Sequence, residues 1–166
     1  MMDQLRIVVG SDKAGSGYKD ILAADLRAHH LVSSVIDVGG IDGPGYATYP
    51  EVGFAAAQLV AESRADRALL VCHTGLGMAI AANKVPGIRA VTAHDSLSVR
   101  RSVLSNNAQV LALGQGVVEL GLARRLVGEW LTYRFDGASS AAAKVDLISD
   151  FERRLELRAR RVRYAY

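Results

Sequence analysis

Five short apolar runs, rich in aliphatic and β-branched residues, punctuate this sequence at Leu5–Gly10, Val32–Val38, Ala68–Cys72, Ile88–Ala93 and Gln109–Leu113. Apolar residues on successive positions point to both faces of a strand, so such runs need cover on both sides. The segments between them have helical character. Tyr18 to His30 carries apolar residues at 18, 21, 22 and 26; further helices are expected from Pro50 to Ser63, Met78 to Lys84, Asp95 or Ser96 to Ser105, and Val117 to Leu131. A last helix is expected from Ala141 to about Arg163. Strands alternating with helices predict a three-layer, Rossmann-like α/β fold: a five-stranded parallel sheet with helices on both faces, plus a C-terminal helix. The expected strand order is the flavodoxin-like 2-1-3-4-5. Ile41 to Tyr49, with three Gly or Pro, is the longest irregular stretch.

At 166 residues the chain is one domain's worth of sequence, and at 50% hydrophobic and 22% charged it can bury a core, which excludes a disordered or fibrous protein. The expected organisation is a single domain at 1–150, with 151–166 as a basic helical extension of it. One cysteine excludes an internal disulfide framework, and with four histidines it leaves little for a structural metal site. There is no charged-then-apolar leader at Met1 and no apolar run approaching eighteen residues, so a cytoplasmic protein without membrane contact is expected. Between Phe151 and Tyr166 six arginines face two glutamates, a net +4 in a chain whose total is +3. The basic character therefore belongs to the tail. With no aromatic interleaving to support nucleic-acid binding, a helix packed on a neighbouring subunit is the expected reading.

In sheets of this kind ligands sit beyond the carboxyl ends of the strands, where the order reverses between strands one and three. The loops there carry Gly10-Ser11-Asp12-Lys13-Ala14-Gly15 and Cys72-His73-Thr74-Gly75-Leu76-Gly77. Backbone N–H groups around Gly75, Gly77 and Met78, at a glycine turn leading into a helix, make an anion site. Cys72 lies just before it. An isolated cysteine is commonly an inert core thiol, but beside a helix start the thiolate is favoured. It can then remove a proton from carbon next to a carbonyl while amides hold the enediolate. Thr74 can relay a proton, Asp12 can hold hydroxyls, and Lys13 offers a cation to a phosphate.

Three segments together resemble the ribose-5-phosphate isomerase B / galactose-6-phosphate isomerase family. They are G-S-D-K-A-G at 10–15, C-H-T-G-L-G-M at 72–78, and A-A-N-K-V-P-G-I-R-A at 81–90; His94-Asp95, N-N-A-Q-V-L-A-L-G at 106–114 and Trp130-Leu131 continue the match. The resemblance spans about residues 5–150. It implies aldose–ketose isomerisation of a sugar phosphate through an enediolate, without metal or organic cofactor. It also implies a dimer or tetramer with active sites between subunits. By position, Cys72 would be the carbon base and Thr74 would help move the proton at oxygen. Gly75, Gly77 and Met78 would form the anion hole, and Asp12 and Asn106 would hold hydroxyls.

The departures from the family pattern bear on the substrate. Ring-opening members have histidine where this chain has Ser105. Many have histidine at Lys13, glycine at His73 and arginine at Gly116, and two further basic residues near the last helix fall here on Ser140 and Lys144. A pentose 5-phosphate closes a furanose through the oxygen on carbon four. In a tetrose 4-phosphate that oxygen carries the phosphate, so no such ring forms and a ring-opening group has no task. Four-carbon members of the family resemble this chain in carrying L-S-N-N-A-Q, here 104–109. The favoured substrate pair is therefore D-erythrulose 4-phosphate and D-erythrose 4-phosphate. The alternatives are a ribose-5-phosphate isomerase in which His94 or His73 opens the ring, and a non-catalytic sugar-phosphate-binding subunit. Retention of both Cys72 and Thr74 argues against the latter, because binding needs no thiol.

Overall fold

The computed structural model describes residues 4–39 and 47–163. Along them run β1 (Leu5–Ser11), α1 (Ser16–Ala28), β2 (Val32–Asp37), α2 (Tyr49–Ala61), β3 (Arg67–Cys72), α3 (Leu76–Ala82), β4 (Ala90–Thr92), α4 (Ser96–Leu104), β5 (Val110–Gly114), α5 (Leu120–Thr132) and α6 (Ala142–Arg163), with a 3-10 turn at Lys13–Gly15. All five strands pair in parallel. Most of the irregular stretch expected at Ile41–Tyr49 lies outside the described residues, and Tyr49 itself already opens α2.

The expected order needs one correction. The sheet runs β2-β1-β3-β5-β4, so the last two strands are exchanged relative to the flavodoxin-like order. The cause is in their composition. β5, Val-Leu-Ala-Leu-Gly, is buried along its whole length and takes a neighbour on each side. β4 is three residues long and only its first residue is buried, which suits an edge. The reversal of order between β1 and β3 is unaffected, and it is this reversal that creates the crevice.

Side-chain alternation divides the core. Ile7, Val9, Leu69, Val71, Leu111 and Leu113 face one way, onto Leu22 and Leu26 of α1, Val99 and Val103 of α4, and Leu126 and Trp130 of α5. Val8, Ala68, Leu70, Cys72, Val110 and Ala112 face the other way, onto Val52 and Ala56 of α2 and Met78 and Ala82 of α3. Small residues dominate this second layer, which lets α2 and α3 approach the sheet closely. Cys72 is thus the terminal residue of a buried face, placed where the core meets the crevice.

Helix α6 stands apart. Val145 is buried, but Leu147, Ile148, Phe151, Leu155 and Leu157 are about half exposed or more, at 49–64%. Its middle is tied to the domain at Glu152, whose carboxylate accepts the Gly87 amide at 2.7 Å. α6 continues without interruption through residue 150. No helix among the described residues is long and apolar enough to cross a membrane.

Candidate active site

Three loops converge at the carboxyl edge of β1, β3 and β5, and glycine makes the convergence possible. A Cβ on Gly15 would lie 2.2 Å from the Val71 carbonyl oxygen, so only glycine lets the turn after β1 close onto the end of β3. Within that turn Asp12 caps the 3-10 segment, its Oδ1 accepting the Gly15 amide at 3.0 Å. The other carboxylate oxygen is left for a ligand. Lys13 is exposed on the same turn.

After β3 the chain turns sharply at Gly75, whose φ of +81° is left-handed and unfavourable for any residue with a side chain. That conformation aims the Gly75 amide back at Cys72 Sγ, 3.0 Å away. Cys72 is 5% exposed, and its sulfur accepts a backbone donor. Thr92 Oγ1 donates to the Gly75 carbonyl at 3.0 Å and holds the turn from β4. Thr74, half-buried, accepts the Leu76 amide weakly at 3.4 Å and keeps its hydroxyl proton available. α3 starts at Leu76, two residues earlier than the sequence predicts, so the amides of Gly77 and Met78 belong to its first turn, where no intrahelical acceptor exists. With the Gly75 amide directed at sulfur, these are the donors that the turn leaves over for a ligand.

The β5 loop locks this arrangement. Gln115 N–H donates to the Cys72 carbonyl (2.9 Å) and Gly116 N–H to the His73 carbonyl (2.8 Å), extending the β3–β5 pairing beyond the sheet. Gln115 Oε1 also accepts the Tyr18 amide at 3.2 Å, joining the loop to the start of α1. His94 Nε2 accepts the Gly114 amide at 2.9 Å. Burial holds the His94 pKa below its usual value, against a smaller opposing pull from Asp95. The ring is therefore neutral, with its proton on Nδ1. His73 is exposed, its ring over Gly116. Thr92 and Gln115 were not foreseen as site residues. Their signal was available: both are polar residues at a strand's carboxyl end, where a core residue would otherwise be expected.

Asp12, Lys13, Cys72, His73, Thr74, Gly75, Gly77, Met78 and His94 thus share one edge of the sheet. Asn106 does not, and among the described residues no contact joins Ser140 or Lys144 to that edge. Asn106 sits in the loop that enters β5; the neighbouring Asn107 carbonyl accepts Arg89 Nε at 2.9 Å, and Arg89 immediately precedes β4. That contact lies at the amino edge. So does the end of α5, whose Trp130 carbonyl accepts from Arg67, the first residue of β3. Ser140 and the start of α6 follow from there, and Glu152 meets Gly87 at that same edge. A five-residue strand is ~16 Å long, so within one chain Asn106 stands far from Cys72.

Comparison with known proteins agrees with this architecture. The model of the ribose/galactose isomerase family matches residues 7–148. D-erythrulose-4-phosphate isomerase 2 of Mycolicibacterium smegmatis is 60% identical over 150 residues, covering 89% of this chain and 97% of that protein. D-erythrulose-4-phosphate isomerase of Pectobacterium atrosepticum is 38% identical over 148 residues, covering 89% and 95%. Among solved structures, ribose-5-phosphate isomerase B of Clostridium thermocellum superposes with a TM-score of 0.83 at 39% identity, covering 90% of this chain and 99% of that one.

Proposed function

Because this chain belongs to the ribose/galactose isomerase family, we propose that it interconverts D-erythrulose 4-phosphate and D-erythrose 4-phosphate through an enediolate. The observation that carries the chemistry is the Cys72 thiol at the mouth of the Gly75–Met78 turn, with a backbone amide 3.0 Å from its sulfur. Cys72 takes the proton from the carbon beside the carbonyl. The electron pair moves onto the carbonyl oxygen, where the Gly77 and Met78 amides stabilise the charge; preorganised donors of this kind act without reorganising during the reaction. Thr74 passes a proton between the two oxygens, and Cys72 returns its proton to the neighbouring carbon. Asp12 holds a substrate hydroxyl through its unpaired oxygen, and Lys13 meets the phosphate.

The four-carbon substrate is supported by the likeness to two D-erythrulose-4-phosphate isomerases and by Ser105, which offers no ring-opening imidazole. In the alternative reading, a ribose-5-phosphate isomerase, His94 has only Nδ1 free to assist ring opening, because Nε2 is engaged by Gly114.

The working unit in this reading is a cytoplasmic homo-oligomer, most simply a dimer. Asn106, Ser140 and Lys144 of one copy complete the Cys72 site of another, since no single chain brings the two sets together. Leu76 and Ile80 on α3, 59% and 63% exposed, flank the site and give that contact an apolar surface, as do the bare side chains of α6. The deciding experiment compares kcat/KM on D-erythrulose 4-phosphate and D-ribose 5-phosphate. Preference for the tetrulose phosphate is expected, and preference for the pentose phosphate overturns the substrate assignment.

A further inference from the structure

Two positions at which this sequence departs from the family pattern, His73 and Gly116, are far apart in the chain and in contact in the fold. The Gly116 amide donates to the His73 carbonyl, and the His73 ring folds over the glycine. A Cβ built on Gly116 would stand 2.3 Å from His73 Cε1, 2.7 Å from Nδ1 and 2.9 Å from Nε2. All three are closer than real Cβ contacts come. A side chain at 116 and the imidazole in its present position are therefore mutually exclusive: the ring occupies the room that a residue larger than glycine would use. Both ring nitrogens lack a hydrogen-bond partner among the described residues. The ring is also one residue from the thiol, on the loop that carries the anion turn.

We infer that His73, seated on Gly116, is the end wall of the sugar-phosphate pocket and the residue that sets the length of substrate accepted. The ring closes the crevice on the side of the β5 loop and presents its unpartnered nitrogens to the substrate's phosphate end. A four-carbon chain places its phosphate within reach of the wall; a five-carbon chain drives it into the ring. This inference rests on the isomerase reading of the site and adds to it a specificity-determining residue whose seat is kept open by a second residue.

The test uses two ketose substrates that both lack a furanose form, D-erythrulose 4-phosphate and D-ribulose 5-phosphate: in the pentulose the oxygen that would close the ring on carbon two is phosphorylated, and the tetrulose has no fifth carbon to carry one. Ring opening then does not confound chain length. His73→Gly should shift the ratio of kcat/KM values toward the five-carbon substrate by ~10-fold or more, the scale on which one carbon is discriminated by a pocket wall. Gly116→Ala should lower kcat/KM on the four-carbon substrate, because the methyl group displaces the ring. In the double variant, Gly116→Ala should cost almost nothing further, since the ring it strikes is gone. An unchanged ratio in His73→Gly, or strictly multiplicative losses in the double variant, overturns the inference. His73→Asn, which keeps a polar side chain but shortens it, should fall between; a ratio equal to the wild type's counts against the wall. The change in ratio is read separately from the wild-type ratio. A wild-type preference for the pentulose phosphate would refute the proposed substrate, whereas a ratio that no His73 variant moves would refute the wall alone.

Discussion

Arg67 opens β3 as a charged residue with 7% exposure, and its removal has a calculable cost. Its guanidinium donates to the Trp130 carbonyl at 2.6 Å and the Tyr133 carbonyl at 2.5 Å, and lies 5.2 Å from the centre of the Trp130 ring. These carbonyls lie in the last turn of α5 and at its C-cap, where, among the described residues, the Trp130 oxygen otherwise has only the Tyr133 amide at 3.4 Å and the Tyr133 oxygen is shared with Arg134 at 2.9 Å. Burial, aided by the nearby Arg134 charge, pushes the Arg67 pKa down to about 10, so it stays charged at neutral pH while bearing a desolvation cost. Arg67→Met keeps comparable bulk but removes two hydrogen bonds from a charged donor, at about 1.5–3 kcal/mol each, while the Tyr133 carbonyl keeps Arg134 and the Trp130 carbonyl keeps the Tyr133 amide. It also forfeits the ring contact, about 1 kcal/mol. Relief of the desolvation cost offsets part of this, so we expect a net loss of ~3 kcal/mol. For a chain of this size ~1 kcal/mol corresponds to roughly 2–4 °C, which places the drop in Tm at ~6–12 °C. Thermal unfolding followed by circular dichroism, with urea titration for the free energy, measures it. A loss below ~0.5 kcal/mol would mean that water replaces the guanidinium and that the α5 terminus is not buried as the hydrogen bonds imply. Arg67→Lys should recover part of the loss, because an ammonium can satisfy one carbonyl but not span both.

Cys72→Ser should reduce kcat by at least ~100-fold with a smaller effect on KM, the lower range for a general base; retained kcat in steady-state assays would mean that another group takes the proton. If sites are shared between copies, mixing Cys72→Ser with Asn106→Ala, each nearly inactive alone, and allowing subunits to exchange should restore about a quarter of wild-type activity, since half of the dimers are mixed and each has one intact site. No recovery after demonstrated exchange would place both residues in the same chain's site. Gly128 lies inside α5 beside a small cavity walled by Leu22, Leu26, Val127 and Leu131, and a Cβ there meets nothing within 4 Å. Gly128→Ala should therefore stabilise by ~1 kcal/mol, a rise in Tm of roughly 2–4 °C; a fall would show that the helix there depends on the glycine. The lowered pKa of His94 means the folded state binds fewer protons than the unfolded chain. Its contribution to stability is thus present above the ordinary value of 6.5 and is lost as pH falls through the lower folded value. His94→Gln, which can still accept the Gly114 amide, should flatten the decline in Tm between neutral and mildly acidic pH; an unaltered decline would assign it to other groups.

The strands were legible because a strand covered on both faces writes its burial into consecutive residues. Their order was not, because order depends on which side each crossover returns. Even so, β5 without a polar residue and β4 trimmed to Ala-Val-Thr already differ as centre and edge do. The A-A-N-K-V-P-G-I-R-A run illustrates another limit. It identifies the family, yet its asparagine serves the fold: Asn83 Nδ2 donates to the Ala90 carbonyl and Oδ1 accepts the Ala90 amide, both at 2.8 Å. The amide side chain pairs with β4 as a neighbouring strand would, and so fixes the edge strand against α3. For the site, the residues that follow β1, β3 and β5 were readable from the rule that crevices form at carboxyl ends. The same rule carries a consequence for Asn106. A residue in a loop that enters a parallel strand must lie at the amino edge, so a chain that needs Asn106 beside Cys72 must obtain it from another copy. What no local pattern reveals is a contact such as His73 on Gly116, where residues from two loops compete for one volume. There the bare glycine gives a pocket its wall, by leaving room for a side chain that arrives from a different strand.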